Sequence, residues 1–206
     1  MASFSMASEG TPAFQFRQLN PGIGNGDMAP RGGASLSISP KYGAIIFGGA
    51  DRGQSHFNDL AFMSRQKREW RKRETKGDVP TPRSGHGTVC YGKFLFLFGG
   101  IDFAEEAAYN DLYVLNLETL EWNYVGEAGI EIAARNSHSL GIIHSSHGTN
   151  YLVIYGGASP DLGPLGDTYY AVMPDIDVVG KGDSIATPVI FVPQKYVARS
   201  LLHQRS

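Results

Sequence analysis

Cysteine and long apolar runs are scarce in this sequence. Cys90 is its single cysteine, which excludes an intrachain disulfide framework and favours a reducing compartment. No run of about 20 apolar residues occurs, so no segment is expected to span a bilayer. Residues Met1 to Pro12 lack the charged start and apolar centre of a signal peptide. These absences predict a cytoplasmic or nuclear protein.

An excess of charge of one sign is also missing. The formal net charge is −2, so there is no overall electrostatic case for binding nucleic acid or an anionic membrane. What the chain does contain is 42% hydrophobic residues and 26 glycines among 206 residues. That composition favours a single turn-rich all-β domain with a core of its own.

A pattern with a period near 50 residues occurs three times. Each copy contains an apolar run closed by two glycines, followed by an aspartate within an Asn-Asp-Leu or Gly-Asp-Thr triplet. The diglycines begin at Gly48, Gly99 and Gly156, and the triplets begin at Asn58, Asn110 and Gly166. Arg31, Arg83 and Arg135 lie 52 residues apart, and Trp70 and Trp122 lie ten residues beyond the triplet leucines. A fixed period of this length indicates an array of supersecondary units.

The middle copy shows what one unit looks like. Its predicted strands cover Gly85 to Tyr91, Lys93 to Phe98, Asp111 to Leu117 and Glu121 to Val125. The second of these is almost wholly apolar, so both of its faces must be covered. A four-stranded antiparallel unit covered on both sides is typical of a propeller blade between two others.

The repeated pattern resembles the kelch-repeat family, whose signature combines a diglycine after an apolar strand, an Asn-Asp-Leu-Tyr segment and a spaced tryptophan. The resemblance covers Pro30 to about Asp175. It implies an all-β fold: a partial or truncated kelch β-propeller of about three four-stranded antiparallel blades, with an extra N-terminal strand over Phe14 to Leu19. In this interpretation the glycines allow close backbone approach and positive φ, and the tryptophan wedges between blades.

The pattern also suggests domain boundaries. We expect a disordered segment over residues 1–12, a kelch-repeat domain over 13–192, and a tail over 193–206 that can form a short helix. The repeats are expected at about 30–74, 82–127 and 134–192. The third copy has Ala134 in place of proline and no tryptophan, and Ala186 to Val192 would supply only an edge strand because of Pro188 and Pro193.

Three blades are too few to close a propeller, which typically has four to eight. Three explanations remain open: a truncated product of a longer chain, a wedge completed by a second copy or a partner, and a degenerate fourth blade in the termini. An open wedge would expose two apolar blade faces and favour self-association. An incomplete isoform with little independent activity is a further alternative.

Each candidate for a catalytic residue also has a structural explanation. His86 and His138 recur in matching register and are expected to be structural hydrogen-bonding groups. His144 and His147 have no cysteine near them, so we predict no zinc site. The alternative is a metal-dependent enzyme on a galactose oxidase-like propeller, but Cys90 and Tyr91 are adjacent in one strand and point to opposite faces. We therefore predict no catalytic residue, metal or cofactor.

Partner binding is the favoured function. The resemblance implies recognition by loops that converge on one propeller face. The mapped positions are Asp51, Arg52, Gln54, His56, Asp102, Phe103, Glu105, Glu106, Pro160, Asp161 and Leu162. Arg31, Arg83 and Arg135, which enter the first strands, could clamp a carboxylate or an acidic peptide at the same mouth. Alternatively, each arginine pairs with the triplet aspartate of a neighbouring blade.

The segment from Arg65 to Arg73 contains six of the chain's 18 basic residues. It is compatible with a nuclear import signal or a patch for a phosphorylated or nucleic-acid partner, and also with a solvent-facing outer strand whose cations prevent unwanted pairing. Taken together, the sequence predicts a non-enzymatic protein-interaction module, a scaffold or substrate-recruiting adaptor that binds a protein or acidic peptide, with no membrane or nucleic-acid partner.

Overall fold

The computed structural model describes residues 28–53, 55–64, 69–127, 132–145, 148–173 and 191–193. Every regular element in these ranges is a β-strand, so no described helix could cross a bilayer. The expected strand over Phe14 to Leu19, the disordered N-terminus and the helical tail lie outside the described residues, as does Arg65 to Arg68 of the basic segment.

Blade 1 consists of four consecutive antiparallel strands in the order β1-β2-β3-β4. Their bounds are β1 Ser35–Ser39, β2 Gly43–Ala50, β3 His56–Met63 and β4 Trp70–Arg73. Ile45 and Phe47 of β2 point into the protein and are each 1% exposed, whereas Ala44 and Ile46 on the other face are only partly buried. The basic residues 71–73 lie on the exposed outermost strand.

Blade 2 has the strand order β5-β9-β8-β7-β6. The bounds are β5 Lys76–Gly77, β6 Gly87–Tyr91, β7 Phe94–Asp102, β8 Ala107–Asn116 and β9 Glu121–Glu127. Strand β7 is buried along its whole length, as its apolar sequence predicted. The short strand β5 was not predicted: it comes from the linker between blades and pairs parallel to β9.

Blade 3 has the order β10-β11-β14-β15. Its strands are β10 Ser139–His144, β11 Asn150–Tyr155, β14 Thr168–Val172 and β15 Phe191–Pro193. An extra hairpin, β12 Ala158–Ser159 with β13 Gly163–Pro164, is inserted between the second and third blade strands. The outermost strand β15 is short, which agrees with the edge strand expected there.

The diglycine of each blade lies where the second strand bends. In blade 2, Gly99 and Gly100 have φ of +62° and +108°, and the register between β7 and β8 shifts at this point. A Cβ atom on Gly99 would stand 2.8 Å from the carbonyl oxygen of Arg135, and one on Gly100 would stand 2.9 Å from the Cβ of His86. Glycine is therefore required both for the backbone conformation and for the approach of the neighbouring chain segments.

Two apolar cores join the three blades. Between blades 1 and 2, Phe47 packs edge-on against Trp122 with ring centroids 5.1 Å apart, so the tryptophan does lie between blades. Between blades 2 and 3, Phe96 and Phe98 pack with Leu152 and Ile154. The first strands β1, β6 and β10 are consecutive neighbours along the inner edge. The described residues thus form three radially packed blades in an open arrangement, the partial propeller that the sequence predicted.

Candidate functional site

A buried ion pair lies inside blade 2. Nη1 and Nη2 of Arg83 donate to the two carboxylate oxygens of Asp111 at 2.6 and 3.0 Å. Nη1 also donates to the carbonyl of Gly99 at 3.1 Å, and Nε donates to the carbonyl of Thr81 at 3.1 Å. Arg83 is 0% exposed, and its guanidinium lies 4.0 Å from the ring centroid of Tyr109. The group is therefore fully engaged by its own blade.

The same pair recurs in the other two blades. Arg135 donates to both carboxylate oxygens of Asp167, at 2.6 and 2.9 Å, and is also 0% exposed. Hydrogen bonds from Arg135 hold the pKa of Asp167 below its usual value. Arg31 pairs with Asp59 in blade 1, where burial would raise the pKa of the carboxyl but hydrogen bonds from Arg31 and Lys72 lower it overall.

These pairs change the interpretation of the three arginines. The prediction that an aspartate of a neighbouring blade is the partner is wrong, because Arg31, Arg83 and Arg135 each bind the aspartate of their own blade. Bidentate contacts of this kind fix the third strand of a blade to the segment that enters its first strand. With the guanidinium donors turned inward, the geometry gives no support to an arginine clamp at the mouth.

The two repeated histidines are buried between blades. His86 Nε2 lies 2.9 Å from Ser35 Oγ of blade 1, and the ring packs edge-on against Phe47. Burial, together with the charge of Arg83, lowers the pKa of His86 to about 3. Burial beside Arg135 similarly lowers the pKa of His138 to about 4. Both imidazoles are thus neutral packing groups at physiological pH.

The loops between the second and third blade strands lie at the end of the blades where the arginine segments enter. We call them the loop rim; it comprises residues 51–55 of blade 1, 103–106 of blade 2 and the 158–164 hairpin of blade 3, without residue 54. Isolated bridges Gly32↔Ala50 and Asn136↔Ala158 place the entering segments beside this end of the second strand. The predicted loop residues are therefore brought together along one edge of the structure.

Two aspartates hold the rim loops in shape. Asp51 Oδ1 accepts hydrogen bonds from the backbone N–H groups of Gly53 and Ser55 at 2.8 and 3.0 Å. Asp102 Oδ1 accepts from the N–H of Ala104 at 2.9 Å and is 7% exposed. Side-chain caps of this kind stabilise tight turns. Asp51 and Asp102 consequently shape the loops that carry the exposed rim residues.

His56 connects the loops of blades 1 and 2. Its Nδ1 lies 3.1 Å from Asp102 Oδ1, close enough for an ion pair when the ring is protonated, although the alignment is not that of a hydrogen bond. The backbone N–H of Phe103 donates to His56 Nε2 at 3.4 Å. Only 2% of the His56 side chain is exposed. His56 is thus a brace between two loops, which places it behind the surface that faces solvent.

The outward surface of the rim combines two apolar tips with an excess of carboxylates. Phe103 is 61% exposed on the blade 2 loop, and Leu162 is 67% exposed on the blade 3 hairpin. The charged side chains at the surface are one cation and four acids: Arg52, Asp51, Glu105, Glu106 and Asp161. Large exposed apolar side chains on short, hydrogen-bonded loops are typical anchors for a protein partner.

The described residues lack a cluster of side chains suited to a metal ion. No cluster of three or more His, Cys, Asp or Glu side chains that could hold a metal ion occurs among them. Cys90 faces the core shared with blade 1, while Tyr91 faces the core shared with blade 3, as expected for neighbours in one strand. Burial raises the pKa of the Cys90 thiol to about 11, which disfavours the nucleophilic thiolate.

Two features of the rim were not predicted from the sequence: the hairpin that carries Leu162 and the contact between two loops. The β12–β13 hairpin presents Leu162, and its signal was present in the sequence as Pro160, Gly163 and Pro164, a cluster typical of a turn. The contact of His56 with Asp102 joins two loops that are 46 residues apart in sequence, and no local pattern encodes it.

Comparison with known proteins identifies the family to which this fold belongs. Residues 19–174 match the family model described as the KLHDC2/KLHL20/DRC7 Kelch-repeats domain. The chain is 38% identical over 100 residues to Kelch domain-containing protein 2 of Bos taurus, covering 48% of this chain and 23% of that protein. It is 34% identical over 128 residues to Acyl-CoA-binding domain-containing protein 5 of Arabidopsis thaliana, covering 62% of this chain and 19% of that protein.

A third relative is Host cell factor homolog hcf-1 of Caenorhabditis elegans, 34% identical over 123 residues, which covers 57% of this chain and 15% of that protein. The chain belongs to the kelch-repeat family, since the family model spans most of its length. Members of this family are generally protein-interaction modules. The chain spans less than a quarter of each of these three relatives.

Proposed function

We propose that this chain is a non-enzymatic scaffold or substrate-recruiting adaptor that binds a protein partner through the loop rim. The observation that carries the proposal is the pair of exposed apolar tips, Phe103 and Leu162, on loops held by internal hydrogen bonds. Anchors on ordered loops cost little conformational entropy when a partner binds. Membership of the kelch-repeat family supports the same conclusion.

The charges of the rim favour a basic partner segment. The prediction of an acidic peptide depended on three arginine head groups at the mouth, and these are engaged inside the blades. At the surface, Glu105, Glu106, Asp51 and Asp161 outnumber Arg52. Because complementary charge gives an interface its specificity and on-rate, we propose a peptide that combines apolar anchors with lysine or arginine.

A random-peptide display library selected on the purified chain tests this proposal. We expect enriched peptides that are basic and carry one or two large apolar residues, and that lose affinity when Phe103→Ala and Leu162→Ala are combined. Tyr124→Ala is the matched control, because Tyr124 is 46% exposed on the outer strand β9. Enrichment of acidic peptides, or binding that Tyr124→Ala reduces as much as the rim variant does, would count against the proposal.

We also propose a cytoplasmic or nuclear location, which rests on the scarcity of cysteine. Residues 71–73 of the basic segment belong to strand β4 and pair with β3, so they contribute to the outer edge of blade 1. Imaging of a fluorescently tagged chain shows whether these cations act as a nuclear import signal or only protect the strand edge. If the cations act as an import signal, Arg71→Gln with Arg73→Gln reduces nuclear signal; if they serve only the strand edge, the distribution is unchanged.

A further inference from the structure

The blades are joined by the same set of main-chain hydrogen bonds at both internal interfaces. Between blades 1 and 2, the N–H of Gly49 donates to the carbonyl of Arg83 at 2.9 Å, and the N–H of Arg83 donates to the carbonyl of Phe57 at 3.1 Å. Between blades 2 and 3, the corresponding bonds run from Gly100 to Arg135 at 2.9 Å and from Arg135 to Tyr109 at 3.0 Å. We call this two-bond arrangement the clasp.

Half of a clasp lies open at each end of the described structure. In blade 3 the positions that match Gly49 and Phe57 are Gly157 and Leu165; in blade 1 the position that matches Arg83 is Arg31. Among the described residues, no hydrogen bond engages the N–H of Gly157, the carbonyl of Leu165, or the main-chain N–H and carbonyl of Arg31. The donor and acceptor left at one end are thus those that complement the other end.

The exposed apolar faces of blade 3 and blade 1 correspond to the two kinds of face that pack together inside the chain. We call the face that a blade packs on the following blade its rear face, and the opposite face its front face. The rear face of blade 3 carries Tyr151, Val153 and Tyr155 on β11, at the positions where blade 2 buries Phe94, Phe96 and Phe98. Ile143 and Tyr155 on this face are 58% and 57% exposed.

The front face of blade 1 shows the same relationship. It carries Ala44 and Ile46 on β2, at the positions where blade 2 buries Leu95 and Leu97. Leu36 and Ile38 on β1 belong to this face and are 60% and 66% exposed. Exposed apolar area of this extent usually marks an interaction surface.

The two faces carry few charges. On the front face of blade 1, Lys72 lies opposite Ala61 and is bound to Asp59 at 2.8 Å. The rear face of blade 3 presents three side chains from each of three strands, and all are uncharged: Ser139, Gly141, Ile143, Tyr151, Val153, Tyr155, Thr168, Tyr170 and Val172. At the interface of blades 1 and 2, Ser37 Oγ pairs with Thr88 Oγ1 at 2.7 Å. The matching positions at the ends are Gly141 and Leu36, so this hydroxyl pair would be replaced by an apolar contact.

We propose that two copies of this chain associate head to tail, with the rear face of blade 3 in each copy packed on the front face of blade 1 in the other. A rear face packs on a front face twice within the chain, and the new contact repeats that arrangement with the open clasps completed. Three blades from each copy make six, within the four to eight blades of closed propellers. A heterologous contact closes into a ring when its rotation permits, and two copies would close this one.

Sedimentation of the purified full chain over a range of concentrations tests the proposal. Ile38→Lys and Ile143→Asp are placed at facing positions, since Ile143 corresponds to Ser39 and Tyr91, and Ile38 corresponds to Cys90 and Ile142. The wild-type chain is expected to be a dimer, and each variant alone a monomer that keeps the circular dichroism of folded blades. Mixing the two variants should restore a dimer, because one interface then pairs lysine with aspartate and the other is wild type.

Several results would overturn the head-to-tail dimer. A wild-type chain that remains monomeric at high concentration would do so, and its faces would then be left for further blades or another partner. Dissociation by Ile143→Asp but not by Ile38→Lys would indicate that two blade 3 faces meet. Growing aggregates instead of a dimer would show that the ring does not close. Phe103→Ala with Leu162→Ala should leave the dimer intact, so this test is separate from that of rim binding.

Discussion

Arg83 and Asp111 form a bidentate ion pair at 2.6 and 3.0 Å inside the middle blade, and Arg83 is completely buried. The two residues are 28 positions apart and belong to the entering segment and the third strand of one blade. The pair explains why the same arginine recurs at a fixed period: it closes each blade upon itself. The partner-binding surface that we propose therefore uses other residues, those of the loop rim.

Arg83→Ala is expected to destabilise the fold strongly. Removing one partner of a buried pair leaves the other charge uncompensated, which costs about 3–5 kcal/mol. Urea unfolding followed by circular dichroism gives the free energy of unfolding. Arg52→Ala, on the exposed rim, is the control and should change it by less than about 0.5 kcal/mol. Similar small effects for both variants would contradict the structural role of the pair.

The fold should become less stable as the pH is lowered, before the carboxylates begin to bind protons. The pKa values of His86 and His138 are lowered by burial to about 3 and about 4, below the ordinary value of 6.5. Between these values the unfolded chain binds protons that the folded chain does not, so stability is lost as pH falls from about 6.5 towards 4. Each histidine contributes a slope of about 1.4 kcal/mol per pH unit in that window.

Thermal melts of the wild-type chain and of His138→Gln, recorded at several pH values between about 7 and 4, would measure this effect. Whatever His138→Gln does to stability at pH 7, its dependence on pH should be shallower than that of the wild-type chain. An unchanged slope would mean that His138 is protonated equally in the folded and unfolded states.

Trp122 should be the most important single apolar side chain of the core between blades 1 and 2. It is 1% exposed and contacts the rings of Phe47 and Tyr113. Trp122→Ala is expected to cost about 3–5 kcal/mol. Tyr124→Ala, two residues further along the same strand but at a side chain that is 46% exposed, provides the comparison. Equal chemical-denaturation midpoints for the two variants would argue against the packing of blade 1 on blade 2.

Metal analysis separates the adaptor from the enzyme alternative. A kelch-type enzyme of the galactose oxidase class would need a bound metal, whereas the interaction module needs none. We expect less than one equivalent of copper, iron or zinc in the purified chain by elemental analysis. Stoichiometric metal that survives dialysis against a chelator would count heavily against the adaptor.

The periodic part of the fold could be predicted from sequence because its causes are local. The apolar run of Phe94 to Phe98 requires cover on both faces, and Gly99-Gly100 marks the point where the strand register shifts. The regular spacing of the three arginines predicted that they share one role, but not which way their side chains point. A spacing of 28 residues to Asp111 does not reveal whether the guanidinium turns into the blade or towards the mouth.

The loop rim shows the same limit. Residues such as Phe103 and Asp161 could be placed on loops from their neighbours in sequence, and the structure places both at the exposed rim. The contact between His56 and Asp102 depends on how two blades lie side by side, which only the packing of the two cores determines. The sequence therefore located the rim, while its charge and its internal brace required the structure.

Hydrogen–deuterium exchange of the chain, with and without a peptide selected from the display library, tests the central claim most directly. Strand β7 should exchange most slowly in both states because all of it is buried. Bound peptide should slow exchange in residues 103–106 and in the 158–164 hairpin, and leave the outer strands β4 and β9 unchanged. Protection confined to β4 or β9, with the rim loops unaffected, would contradict partner binding at the rim.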